Sequence, residues 1–200
     1  AYYHTTGTNN VAVGSDALQN ITTHGENTAV GTRALFSATA NSNTAVGYNA
    51  GYNTTTGQNN GYVGRRPGYN NTTGSQNTGI GANAIQQATT GYSNTAVGYN
   101  AMLLTSTGYD SVAVGDAALD ANTTGNNHVA VGVDALTNAT TANAVVAIGK
   151  EAAFSTTTGA LTAVGYQAGY SNTTAGGQAF VGYQAGYSTT TGTNNTYMGV

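Results

Sequence analysis

The chain has 200 residues, of which only 6% are charged, against about 25% in soluble domains of ordinary composition. With 29 Gly, 14 Tyr, a single Pro, no Cys, no Trp, and apolar residues that are mostly Ala and Val, it cannot build a thick core of large side chains. A net charge of −3 gives no electrostatic basis for binding nucleic acid or an anionic membrane, and no apolar run approaches the length of a membrane span. The sequence begins at Ala1 and stops at Val200, each in mid-repeat. We therefore expect residues 1–200 to be one repetitive segment of a longer fibre chain.

One glycine recurs after an aliphatic residue, at Gly14, Gly31, Gly47, Gly64, Gly81, Gly98, Gly115, Gly132, Gly149, Gly165, Gly182 and Gly199. The step is 17 residues except for two steps of 16, ending at Gly47 and Gly165. The residue before this marker glycine is Val, Ile or Met, and the residue three before it is mostly Thr or Val, as in Thr44, Thr95, Val112 and Val129. Alternation puts these two positions on one face of a strand, and their β-branched side chains suit a buried pleated surface. The residue between them is usually Ala, including Ala45, Ala96, Ala113 and Ala130. On this reading the Ala column points outward, where its small size allows another chain to approach.

Three residues after the glycine comes Ala, followed by either Leu, Ile or Met (Leu18, Ile85, Met102) or Gly (Gly51, Gly68, Gly169, Gly186). This second segment is a candidate opposing strand. The return connection reads Thr-Thr-Gly, as at Thr55-Thr56-Gly57 and Thr72-Thr73-Gly74. Thr stands eight before every marker glycine, and Gly beside it suits a turn needing positive φ.

A coil of this length cannot bury a core alone, but stacked coils can cover one another. The expected fold is all-β, a parallel β-solenoid of about twelve 17-residue coils with like residues in ladders. At about 4.8 Å per coil the rod would be roughly 55–60 Å long. Gly, Asn, Thr and β-branched residues are poor helix formers, which excludes an α-helical reading.

The strings Asn43-Thr-Ala-Val-Gly47, Asn94-Thr-Ala-Val-Gly98 and Ser111-Val-Ala-Val-Gly115 resemble the repeat of YadA-like heads in trimeric autotransporter adhesins. The longer strings Val164-Gly-Tyr-Gln-Ala-Gly-Tyr170 and Val181-Gly-Tyr-Gln-Ala-Gly-Tyr187 are similar to repeats in phage tail-fibre-like proteins. The resemblance spans essentially the whole chain. It implies a left-handed β-roll, a side-by-side homotrimer and an extracellular, adhesive fibre role. The coil is longer than that of the bacterial heads by a Thr-Thr-Gly turn, which favours a viral tail or capsid fibre at the virion surface over a bacterial adhesin head. Partners on this reading are two further copies of the chain and a host-surface receptor, glycan or protein. Neither nucleic acid nor membrane insertion of this segment is expected.

Candidates for chemistry are sparse. His4, His24 and His128 occupy different places in their coils, so they do not stack into a metal or catalytic site. Asp16, Asp116, Asp120 and Asp134 could attract calcium, but no EF-hand or RTX-type loop is present. No Gly-x-Ser-x-Gly elbow occurs, Arg65-Arg66 reads as a solvated pair, and neither cofactor nor catalysis is expected. Tyrosine is more informative. Tyr48, Tyr99, Tyr166 and Tyr183 follow the marker glycine, and Tyr52, Tyr170 and Tyr187 lie four further on; exposed, they would contact sugar rings or a protein receptor. Asn-x-Ser/Thr sequons, Asn53, Asn122 and Asn172 among them, arise mostly from the Asn-Thr-Thr turn. Paired Thr columns also suggest an ice-binding face, although hydroxyls capping the turn backbone explain them more simply.

Overall fold

The structure is a computed structural model that describes residues 6–174 and 176–200. Twelve short strands, from β1 (Val11–Val13) to β12 (Thr196–Met198), form one parallel sheet in sequence order. Among the described residues there is no helix. Each strand pairs in register with the strand one coil away, so that Thr95 lies beside Val112, Ala96 beside Ala113 and Val97 beside Val114. The chain is thus a parallel β-solenoid, as the repeat predicts.

The sheet faces the opposite way from the sequence reading. Ala45, Ala96, Ala113 and Ala130, expected as outward contact residues, are fully buried inside their own chain. The flanking residues point to solvent, and Val63, Ile80 and Ile148 are 40–43% exposed. The reason is space. The wall facing the sheet is a column of larger side chains, Leu18, Leu35, Ile85, Met102, Leu119 and Leu136, all buried. A narrow roll has room for only one large column, so the sheet contributes Ala.

Where the sheet does contribute a large residue, the opposite wall yields. Tyr62 and Phe180 occupy the Ala position and are fully buried. Opposite Tyr62 stand Gly51 and Gly68, and opposite Phe180 stand Gly169 and Gly186. A methyl group on Gly68 would collide with the Tyr62 ring, and one on Gly186 with the Phe180 ring. The Tyr62 hydroxyl accepts a hydrogen bond from Asn71 Nδ2 at 2.8 Å, which satisfies the phenol's acceptor in the core. Burial pushes the Tyr62 pKa up, partly opposed by its contacts with Asn71 and Asn77, so the ring stays neutral.

The second segment is not a strand. It folds as consecutive turns, with left-handed residues two and four after the marker glycine, for example Asn100 (φ 55°) and Met102 (φ 52°). Its backbone still forms a ladder along the rod: Met102 N–H donates to Ala118 O at 3.0 Å, and Asn100 N–H donates to Ala82 O at 3.0 Å. Left-handed backbone at Met102 and Leu119 costs energy that Gly would not. Burial of those side chains offsets it.

The marker glycine is where coils touch most closely. Gly98 has φ 142°, and a Cβ there would run into the backbone of Gly115 in the next coil. No L side chain fits that conformation or that gap.

The fourth position before the marker glycine holds a buried polar column that the sequence reading missed. Asn27, Asn43, Asn60, Asn77 and Asn94 are all buried. Each carboxamide oxygen accepts the backbone N–H of the next member, as from Asn77 to Asn60 Oδ1 at 2.9 Å and from Asn94 to Asn77 Oδ1 at 3.1 Å. Each carboxamide nitrogen donates to a turn carbonyl, as from Asn60 to Gly74 O at 2.9 Å and from Asn77 to Gly91 O at 2.8 Å. These amides bind the Thr-Thr-Gly turn to the sheet and satisfy turn carbonyls where the coil reverses. The turn hydroxyls work along the same axis, since Thr55 Oγ1 donates to Thr72 O and Thr72 Oγ1 to Thr89 O, both at 2.9 Å.

The exchange between Tyr62 and the opposing glycines is testable by a double-mutant cycle. Gly68→Leu alone should destabilise the rod by about 2 kcal/mol or more, because overpacking adds to a tight core. Combined with Tyr62→Ala, the same change should regain part of that loss in urea unfolding. Additive losses in the two variants would show that the positions do not share one space.

Candidate functional site

The outward face of the sheet is a regular surface that runs through all twelve strands. It carries two ladders. One is Val13, Val30, Val46, Val63, Ile80, Val97, Val114, Val131, Ile148, Val164, Val181 and Met198; the other is mostly Thr or Val, as at Thr78, Thr95, Val112 and Val129, with Gly61 and Ala179 as exceptions. In-register pairing aligns these residues at strand spacing, so the Val and Ile ladder is continuous and apolar, and the ladder beside it mixes Thr hydroxyls with Val. A third outward column follows the marker glycine and borders the face. It includes Tyr48 at 48% exposure and Tyr99 at 56%.

The candidate tyrosines divide into two groups. Tyr52 stacks between Phe36 and Tyr69 with ring centroids 4.9 and 5.1 Å apart. Tyr170 stacks between Phe154 and Tyr187, both at 5.1 Å. Tyr166 stacks on Tyr183 at 5.3 Å. Rings packed face to face along the rod offer mainly their edges and hydroxyls to a ligand. Arg66 covers Tyr69 with its guanidinium 4.4 Å from the ring centroid. Tyr48 and Tyr99 take part in none of these stacks, and they are the candidates whose faces could meet a sugar ring.

Three of the charged candidates, Asp116, Asp120 and Asp134, lie near one another, and Asp16 has a cationic partner. Asp16 pairs with Arg33 at 3.8 Å. Burial, then the nearby Asp134 and Asp116 carboxylates, raise the pKa of Asp120. Among the described residues no three His, Asp or Glu side chains converge as a metal site requires. His4 lies outside the described residues, and His24 Nδ1 sits 3.2 Å from Thr23 Oγ1 at the surface. The sequons also separate: Asn71, Asn122 and Asn172 are buried, and both Asn71 and Asn122 spend their amides on the turn, where Gly74 and Gly125 N–H donate to their oxygens at 2.9 Å.

His128 is inside the rod. It continues the Asn column, after Ser111, whose Oγ accepts the His128 N–H at 3.1 Å. Its own Nδ1 accepts the Val145 N–H at 3.3 Å, which requires the neutral ring. No family model matches this chain, and no curated protein or solved structure matches it either.

Burial pushes the His128 pKa down to about 4, against the ordinary 6.5, with the Ala142 carbonyl opposing the shift. The unfolded chain therefore binds the extra proton first as pH falls. Stability should be constant above about pH 6.5 and fall by about 3 kcal/mol as pH drops from there to about 4, an upper bound from the size of the shift. His128→Asn restores the carboxamide ladder and should flatten this segment of the stability-against-pH curve. A curve unchanged by that substitution would place the titration elsewhere.

Proposed function

We propose that the chain is a stiff, adhesive segment of an extracellular fibre, working as a side-by-side homotrimer in which the outward Val/Thr faces meet. The observation that carries this reading is the unbroken apolar ladder on the sheet. Monomeric proteins rarely leave so long a contiguous apolar surface to water. Two further copies of the same face would cover it around a threefold axis along the rod, with residues on the axis meeting their own copies. The corrected polarity of the strand strengthens this proposal, because Val buries more area per rung than Ala would.

Within such a fibre the rod acts as a spacer, and its side columns contact the host. Tyr48 and Tyr99 supply unstacked rings for a glycan or protein receptor. A viral tail or capsid fibre remains the first choice of owner, carried by the resemblance of the Gly-Tyr-Gln-Ala-Gly-Tyr strings, and a bacterial adhesin head the alternative. The ice-binding reading loses ground in one of its two Thr columns, where the hydroxyls of Thr55, Thr72 and Thr123 donate to carbonyls of the next coil.

Val114→Glu with Val131→Glu should convert the assembly to monomers, read as a threefold drop in mass by sedimentation equilibrium, while the β-sheet circular dichroism persists. Ala113→Glu should instead unfold the coils, since it places a carboxylate in the core. A wild-type chain that is monomeric at every concentration would overturn the trimer.

A further inference from the structure

Among the described residues four tyrosine pairs stack across adjacent coils: Tyr52 with Tyr69, Tyr92 with Tyr109, Tyr166 with Tyr183, and Tyr170 with Tyr187. The Tyr92–Tyr109 pair is the closest and flattest, with centroids 4.9 Å apart and planes 2° from parallel. We propose that Tyr92 and Tyr109 form an oxidative modification site, at which peroxide-driven oxidation joins them as dityrosine and so staples two coils of the rod together.

Three observations carry this, and none depends on the fibre's owner. First, both backbones are pinned one rung apart. Asp110 N–H donates to Tyr92 O at 3.2 Å, and Tyr109 N–H donates to Asn126 Oδ1 at 3.1 Å. The rings therefore stay within reach of each other, which gives a radical on one a high effective concentration of the other. Second, Tyr92 is 44% exposed, and the pair sits on the turn before the strand rather than on the apolar face. A small oxidant can reach it with the sheet face covered. Third, the chain contains no Cys and no Trp, so tyrosine is the side chain that yields an electron most readily and keeps the hole. The Tyr52–Tyr69 pair is a poorer site because the Arg66 cation lies over the Tyr69 ring and opposes loss of an electron there.

The chemistry balances with hydrogen peroxide as oxidant and a haem peroxidase as catalyst. Each phenol loses one electron and its hydroxyl proton. The two phenoxyl radicals then form a carbon–carbon bond between ring positions ortho to oxygen. Each coupled carbon releases its hydrogen as a proton, and each oxygen is reprotonated as the rings regain aromaticity. The two electrons and two protons reduce one peroxide to two waters.

The test treats the intact chain, dilute, with peroxidase and hydrogen peroxide, followed by proteolysis and mass spectrometry. The expected product is a peptide joining Tyr92 to Tyr109 within one chain, lighter by two hydrogens than the sum of its parts, with dityrosine fluorescence. Tyr92→Phe keeps the ring in the stack and should abolish this link alone, and unfolding in urea before oxidation should abolish its preference over other pairings. Links formed only between chains, or a Tyr92–Tyr109 yield no greater in the folded than in the unfolded chain, would overturn the proposal. So would cross-linking at the other pairs without this one.

Discussion

Everything in this rod depends on the coils lying directly over one another at strand spacing. At the marker glycines the backbones of successive coils come so near that no side chain fits between them. That contact fixes the register, and the register turns each position of the repeat into a column of like residues. Columns then do what isolated residues could not. Asn becomes a buried ladder in which every amide has partners, and Thr becomes a row of hydroxyls along the axis. Insertion or deletion is therefore confined to places the register does not involve. The 16-residue coil ending at Gly47 has Thr39-Ala40 where the next coil has Thr55-Thr56-Gly57: Asn27 Nδ2 donates to Ala40 O as Asn43 Nδ2 does to Gly57 O, and the strands beyond the turn stay paired.

Much of this is legible in the sequence. The period, the glycine column, the parallel strands and the Thr-Thr-Gly turn follow from spacing alone, because a solenoid repeats its constraints once per coil. The inside and outside of the strand are the reverse of what its residue types suggest. Val and Thr flanking Ala read as a buried pair, and in a wide sandwich they would be. In a roll this narrow, the wall opposite decides. A signal did exist: Tyr62 and Phe180 replace Ala only where Gly51, Gly68, Gly169 and Gly186 replace Leu or Met. An exchange of size between two positions shows that they face each other, and so that the Ala column is internal.

The second segment reads as a strand in the sequence and folds as turns for a related reason. Its alternation of small and large residues matches a strand, but left-handed residues such as Asn100 and Met102 curl it into turns while conserving the axial hydrogen bonds. Propensity alone could not reveal this, since Leu, Ile and Met disfavour left-handed backbone. The burial that compensates is a property of the stack. The candidate surface shows the same division. Position relative to the glycine correctly grouped the tyrosines into columns, but only the packing separates the stacked rings of Tyr52, Tyr166, Tyr170, Tyr183 and Tyr187 from the open ones of Tyr48 and Tyr99.

The Ala column is the core, and in the proposed trimer the Val column is the contact face between chains. The chain has no native Cys, so single cysteines at positions 96 and 97 report on each directly. Thiol labelling should find position 97 protected in the assembled fibre and reactive once the chains separate with their sheets intact, whereas position 96 should stay protected until the coils unfold. Rapid labelling at position 96 in the folded chain, or at position 97 in the assembled fibre, would contradict this arrangement.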